Sequence, residues 1–420
     1  MLKLNAQDEV NPHVKDISEV KHALCNIDWN FTSKTRVYEG MSPFDCRKHH
    51  WFPATFRPEI PFTLIEILTK PGATVYDPFG GIGTTYFQAL LLNRKPYMTE
   101  ICRVAVEFAK SLLVLFNPQL QLKEVQNRIE SIIANFDPRI NYEEKIDSSM
   151  SILIDQLRPW YHKDTFNQLV YLFLQEHNCN DKSTKAAMRI LISAILNKAS
   201  SQDRGWGCIA DNVLPKQHQI KYKNALDLFH RRLKRLIKDI SSHLQNTTKD
   251  YCKIYNCLLQ EETIFHADVL RDEVIRDDSI DLVVTSPSYP GMTDYVKSQR
   301  LSYYWLGVPL SSENRDLIGE IGARHKRHRK DLLTQYLQDM TKFSEILSRK
   351  VKVGGYVCFV LAEFGRDKPE RKAVIEKFVQ NLQKFFEKEM EFTRVIPPIR
   401  RSHNIKWATL DQEKIIIFRK

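Results

Sequence analysis

Two short stretches of this chain carry residues whose types and spacing suit chemistry. The first is Val75-Tyr76-Asp77-Pro78-Phe79-Gly80-Gly81-Ile82-Gly83-Thr84-Thr85. A β-branched run ends in an acid, three glycines follow within four positions, and a helix-like apolar stretch starts at Thr84. That pattern predicts a strand, a tight turn and a helix N-terminus, which brings unpaired backbone N–H groups close to a ligand. A side chain at the glycine positions would hold the ligand away, and Asp77 can accept hydrogen bonds from its amine or hydroxyls. A doubly wound domain sets a further acid at the end of the next strand. Here Pro96-Tyr97-Met98-Thr99-Glu100 supplies Glu100, suited to ribose hydroxyls. The turn lacks the Gly-Lys-Ser/Thr of a phosphate-binding loop and the spacing of the dinucleotide fingerprint.

The second stretch is Thr285-Ser286-Pro287-Ser288-Tyr289, at the end of the apolar run 280–285. Open α/β sheets build their sites at such strand ends. Pro287 stiffens the turn and removes an N–H, so nearby carbonyls can face a ligand. Ser286 Oγ and the Pro287 carbonyl can accept hydrogen bonds from a ligand's donors, and Tyr289 offers a ring on which a planar ligand can stack.

Asp-Pro-Phe-x-Gly-x-Gly-Thr resembles the S-adenosylmethionine (SAM) loop of the amino methyltransferases that act on nucleic-acid bases. Residues 286–289 resemble the Ser-Pro-Pro-Tyr box of the cytosine-N4 branch, with Ser288 in place of a proline. Adenine-N6 relatives usually carry an acid in the first position of that box. The resemblance covers residues 29–110 and 262–420 and implies a class I, Rossmann-like methyltransferase fold. It implies S-adenosyl-L-methionine as cofactor, bound by Asp77, Pro78, Phe79, Gly80, Gly81, Gly83, Thr84, Glu100 and Asp268. It implies Ser286, Pro287 and Tyr289 as the catalytic residues that hold and orient the base. The aromatic and proline-rich segment 49–61 would close over the methionine half of the cofactor, and the aromatics of 293–307 could line the base pocket. The implied activity is methylation of double-stranded DNA at cytosine N4, with the target base flipped out of its stack. Adenine N6, a base in RNA, and a catalytically silent DNA-binding subunit remain as alternatives. The resemblance further implies a restriction–modification system, in which a cognate restriction endonuclease would be a partner.

These residues need a scaffold. Runs at 74–77, 96–100, 262–268, 280–285, 355–361, 392–399 and 414–419 read as seven strands, the early ones alternating with helices. The expected fold is therefore α/β, a doubly wound, mainly parallel seven-stranded sheet. Helical periodicity at 104–115, 122–136, 163–176, 182–200 and 217–244 fills the middle of the chain, with glycine nearly absent. The expected division is a SAM-binding half over 1–115, a helical target-recognition insertion over 116–260, and a catalytic half over 261–420. In that order the insertion precedes the third strand.

The charge distribution points to a polyanion. The chain has 420 residues and a net charge of +11. Arg324-His325-Lys326-Arg327-His328-Arg329-Lys330 is an unbroken run of basic and histidine residues shortly after the serine–proline box. Arg231, Arg232 and Arg235 lie opposite the apolar stripe of the 217–244 helix, and Arg400, Arg401 and His403 add a smaller patch. Phosphate contact is the natural use of such clusters. No run approaches the roughly 18–20 apolar residues of a membrane span, and the first residues hold no apolar signal core. Eight scattered cysteines without Cys-x-x-Cys suggest reduced thiols in a cytoplasmic protein. Cys46, His49 and His50 lack a second ligand pair at finger spacing, so no metal is expected.

Overall fold

The computed structural model describes residues 17–31, 42–202, 214–245, 247–271, 273–363, 369–396 and 412–420. Arg400, Arg401 and His403 lie outside the described residues. The chain enters through helices α1 (Ile17–Cys25) and α2 (Glu59–Leu68). It then alternates through β1 (Thr74–Asp77), α3 (Thr84–Leu91), β2 (Lys95–Glu100) and α4 (Arg103–Leu115). The helical stretch contains α5 (Leu122–Ala134), α6 (Ile154–Leu157), α7 (Lys163–His177), α8 (Lys182–Ala199), α9 (Ala225–Leu244) and α10 (Lys249–Leu258). After it come β3 (Ile264–His266), β4 (Ile280–Thr285), α11 (Arg300–Trp305), α12 (Arg315–Gly319) and α13 (Leu332–Lys350). The chain closes with β5 (Val351–Glu363), α14 (Pro369–Leu382), β6 (Glu387–Val395) and β7 (Gln412–Arg419).

The seven strands form one sheet in the order β3-β2-β1-β4-β5-β7-β6. Neighbours from β3 to β5 are parallel, and β7 runs antiparallel to both β5 and β6. The chain winds outward from β1 through β2 to β3, then returns to the centre and continues on the other side with β4. The crevice between β1 and β4 is thus the point where the strand order reverses, where open α/β sheets take their ligands. This is the doubly wound, mainly parallel sheet read from the sequence.

Strand alternation sorts the core. Val75, Leu282, Val284, Cys358 and Val360 point to one face and pack with α1 and α2 residues such as Leu24, Ile60 and Leu64. Tyr76, Val283, Val357 and Phe359 point to the other face and pack with Tyr336, Met340 and Phe343 of α13 and Phe378 of α14. A third cluster joins Phe87 of α3, Leu112 of α4, Leu172 of α7, Ile192 of α8 and Phe229 of α9. The helices between α4 and β3 therefore share their apolar interior with the helices that flank β2.

Some boundaries differ from the sequence reading for local reasons. The helix read over 217–244 begins at Ala225, because Asn224 caps it by accepting the Asp227 N–H at 3.0 Å. Leu226, Phe229, Leu233, Leu236 and Ile240 are its buried stripe, as the spacing implied. Helix α10 was not read; Thr248 caps it, and Tyr251, Tyr255 and Leu258 are its buried contacts. Among the described residues no helix is long and apolar enough to cross a membrane.

Candidate active site

The glycine turn joins β1 to α3, and its close contacts explain its composition. A Cβ on Gly80 would lie 2.6 Å from Met98 Cε. Gly83 has φ +87° and caps α3 without a side-chain acceptor, so the first N–H groups of that helix are left for a ligand. The Thr99 carbonyl accepts the Gly80 N–H at 2.9 Å, and Thr99 Oγ1 donates to the Pro78 carbonyl at 2.8 Å. Strand β2 thereby holds the turn from beneath.

Two buried carboxyls frame it. Asp77 Oδ1 accepts from Thr285 Oγ1 at 2.7 Å and from the Phe79 N–H at 3.1 Å. Asp77 Oδ2 and Thr84 Oγ1 are buried with no hydrogen-bond partner among the described residues. Burial pushes the Asp77 carboxyl up to about 6, against the lowering effect of the Thr285 bond. Glu100 accepts the Gly81 N–H at Oε2 and the Cys102 N–H at Oε1, both at 2.8 Å. Burial raises it to about 7, and the neighbouring Asp77 and Asp316 add to the rise. Two carboxyls kept this far from solvent favour a cationic or hydroxyl-bearing ligand.

The serine–proline box follows β4, directly beside β1, so the two motifs face one crevice. The crevice holds a cleft of about 740 Å³, including its open mouth. Pro78, Phe79, Gly80, Gly81, Thr84, Glu100, Asp268 and Ser286 all line it. Asp268 Oδ1 accepts the Leu270 N–H at 2.9 Å, and Arg271 Nε lies 3.3 Å from its Oδ2. Phe52 to Phe56 form one wall.

Four members of the sequence-derived set, Asp77, Gly83, Pro287 and Tyr289, do not line the cleft. Asp77 and Gly83 sit behind its wall, where they shape the turn. Tyr289 is also set back, and this corrects the stacking role read for it. Its ring packs with Tyr336 and Phe359 in the sheet core, and its hydroxyl donates to the Val360 carbonyl at 3.1 Å. With that proton committed, Tyr289 Oη can accept from Ser286 Oγ at 3.4 Å. The phenol therefore orients Ser286 and leaves the serine's lone pairs free. Pro287 is buried and absent from the lining. The aromatic rings that do line the cleft are Phe52, Phe56, Phe79 and Tyr295.

Ser288 replaces the missing proline ring with hydrogen bonds. Its Oγ donates to the Ile321 carbonyl at 2.6 Å, and Tyr336 donates to the Ser288 carbonyl at 2.9 Å. Gly291 N–H adds a bond of 2.7 Å to the Gly322 carbonyl. These contacts tie the box to the strap 319–323, which carries Glu320 into the cleft. Glu320 was missed from sequence, because no motif surrounds it and its position depends on α12. Asp316 anchors that helix through Tyr303 Oη at 2.5 Å, His266 Nε2 at 2.9 Å and the Arg103 N–H at 3.0 Å.

The basic run divides between inside and outside. His325 bonds to Asp294, and Lys326 Nζ donates to the Ile318 and Glu320 carbonyls at 2.9 and 2.7 Å. Arg324 is half-buried, whereas Arg327, Arg329 and Lys330 are exposed. On α9, Arg231 and Arg235 are exposed, but Arg232 donates to the Lys48 carbonyl at 2.7 Å. His49 Nε2 lies 2.7 Å from Asp239 of α9 and His50 Nε2 lies 3.0 Å from Gln299, so each ring is engaged apart from buried Cys46. Asp294, Glu320 and His325 are the acid and histidine ligand atoms that gather within 4.8 Å of one another among the described residues.

Comparison with known proteins agrees with these motifs. A curated relative, the type II methyltransferase M.BsoBI of Geobacillus stearothermophilus, is 24% identical over 334 residues. That match covers 73% of this chain, and the chain spans 62% of the relative's length. A solved rRNA methyltransferase, aviRa from Streptomyces viridochromogenes, aligns over 88% of this chain and 89% of its own at 8% identity and a TM-score of 0.30. The family model for N6/N4 methyltransferases, described as DNA methylase, matches residues 3–111, which include β1, the glycine turn and Glu100. In that segment the chain is similar to the DNA amino methyltransferases, and over 334 residues it is similar to the type II methyltransferase.

Proposed function

We propose that this chain is a SAM-dependent DNA methyltransferase acting on the exocyclic amine of a flipped base, cytosine N4. What carries the reading is one shared cleft at the β1/β4 crevice, onto which the glycine turn and Ser286 both open. The bond between Thr285 and Asp77 ties the two motif strands directly behind it.

The residues present fit the cofactor. Asp77 Oδ2 and Thr84 Oγ1 are buried polar atoms in want of a partner, the glycine turn leaves no room for side chains, and the acids suit a cation. In this reading the glycine turn holds the amino-acid half with Asp77 supporting it from behind, Glu100 the ribose hydroxyls and Asp268 the adenine side, with Phe52 to Phe56 closing over the methionine half. Bound there, SAM supplies a methyl group on a positively charged sulfur that leaves as a neutral thioether. Ser286 Oγ and the Pro287 carbonyl accept the two amine hydrogens and so direct the nitrogen lone pair. Tyr289 fixes the serine's orientation through the relay to Val360. Orientation of this kind supplies most of the rate, since the leaving group is already activated.

Arg327, Arg329 and Lys330 are assigned to phosphate contact near the cleft, and Arg231 and Arg235 to contact from the helical stretch 116–260, the target-recognition region. A duplex hides the amine in its stack, so the base must be extruded into the cleft. The test is mass spectrometry of nucleosides from duplex DNA incubated with the protein and labelled SAM. N4-methylcytosine is the expected product. N6-methyladenine would transfer the assignment to the adenine branch, and DNA binding without label would leave a silent subunit.

A further inference from the structure

The turn that leaves the serine–proline box is packed beneath an arginine of α14. Arg371 Nη1 donates to Met292 Sδ at 2.9 Å. A Cβ on Gly291 would lie 3.0 Å from Arg371 Nη2, 3.2 Å from Leu332 Cδ2 and 3.7 Å from Arg327 Cβ. The bare glycine thus lets α14, the start of α13 and the basic run close on one turn, just past Tyr289. Two main-chain bonds, Gly291 N–H to the Gly322 carbonyl at 2.7 Å and Arg324 N–H to the Thr293 carbonyl at 3.0 Å, fasten that turn to the strap. Strap residues 319–321 line the cleft.

Arg371 is half-buried and forms no ion pair among the described residues. The acids of the adjoining loop and strap are engaged elsewhere, Asp294 with His325 at 2.8 Å and Glu320 Oε1 with the Tyr295 N–H. A thioether sulfur is a weak acceptor, so the Met292 contact leaves the guanidinium fork without a strong one. Arg327 is exposed, and its Nε donates to His328 Nε2 at 3.1 Å, which leaves its terminal NH2 groups to solvent. Two guanidinium groups flanking one turn, one of them partly desolvated, are costly unless an anion joins them.

We propose that Arg371 and Arg327 together seat one phosphate of the DNA strand that delivers its base to the cleft. The inference rests on the DNA-methyltransferase reading. A base held at Ser286 keeps its sugar and flanking phosphates near the cleft mouth, and the Gly291 turn follows Ser288, which lines the cleft. Two planar forks offer paired N–H donors to phosphate oxygens, and a guanidinium is weakly hydrated, so its partial burial costs less than an ammonium's. Arg371 lies outside the basic run in sequence and reaches the seat only through the packing of α14.

The full-length protein and labelled duplex DNA test this by anisotropy across a salt series, with Arg371→Gln, Arg327→Gln and the double variant. Each single change should weaken binding on the order of 10-fold, and the double change little further, with the logarithmic salt slope lower by about 1 in all three. Losses that add in full, with the slope down by about 2 in the double variant, would mean two separate phosphates and overturn the shared seat. Unchanged binding by Arg371→Gln would overturn it too. So would weakened SAM affinity in that variant, since Arg371 would then act through the fold. A neutral methylphosphonate moved stepwise along the target strand locates the phosphate. Wild type should lose affinity when it flanks the methylated base, and Arg371→Gln should be indifferent to it there. A sensitive phosphate elsewhere, or one that Arg371→Gln still senses, overturns the proposal. Binding needs no methyl transfer, so wild-type protein that shows the salt pattern yet labels no DNA would refute the methyltransferase reading alone.

Discussion

Asp77, Glu100 and Glu320 are carboxyls that burial raises to about 6, 7 and 8 respectively. Each is harder to ionise in the folded chain than in the unfolded one. Each therefore contributes stability that is complete below its unfolded value, near pH 4, and is lost as pH rises through its folded value. The melting temperature of the ligand-free protein should fall between about pH 5 and pH 8, and Glu320→Gln should flatten the upper part of that slope. A melting temperature that rises across the window would contradict the burial argument. SAM carries a positive sulfonium, so its stabilising effect should be larger at the alkaline end. Ser286 and Tyr289 form the other residue-scale pair. Ser286→Ala should lower turnover on the order of 10²-fold, and Tyr289→Phe should lower it less, because the serine remains but loses its orientation. Calorimetric SAM affinity should stay near wild type in both. A Tyr289→Phe enzyme as fast as wild type would remove the relay from the mechanism.

At the scale of elements, the cleft depends on two turns and a strap. The α3 turn requires Gly83, whose φ of +87° is open to glycine and whose added Cβ would meet Phe87 Cε2 at 2.9 Å. Gly83→Ala should cost about 1–3 kcal/mol in urea unfolding and weaken SAM binding, since the turn must shift. The box turn is latched to the strap by Ser288 Oγ on Ile321. Ser288→Ala should cost about 1 kcal/mol and reduce turnover less than Ser286→Ala does, because the Tyr336 and Gly291 bonds remain. Turnover lost to the extent of Ser286→Ala would instead put Ser288 in contact with the base. Sequence had registered Ser288 only as a missing proline. The compensating acceptor, Ile321, lies 33 positions away on a strap whose path periodicity does not report.

At the scale of the molecule, a charge of +11 acts through the residues that remain solvated. Arg327, Arg329 and Lys330 are exposed, while Lys326 and His325 are engaged by the fold. Replacing the three exposed residues by alanine should weaken duplex binding and reduce the logarithmic salt slope by up to about 3, with little effect on SAM affinity. An unchanged slope would place the phosphate path elsewhere, with α9 the next surface to test. The sequence by itself determined the alternation of strand and helix, the seven strands, the glycine turn and the box at a strand end. Those follow from side-chain periodicity and from the conformations that glycine and proline permit, which are properties of a few neighbouring residues. Only the tertiary structure decided that Tyr289 faces the core, that Lys326 turns inward and that Glu320 enters the cleft. Each of those outcomes rests on partners distant in the chain, namely Val360, the 318–320 carbonyls, and the anchors of Asp316, and on burial that no local pattern encodes.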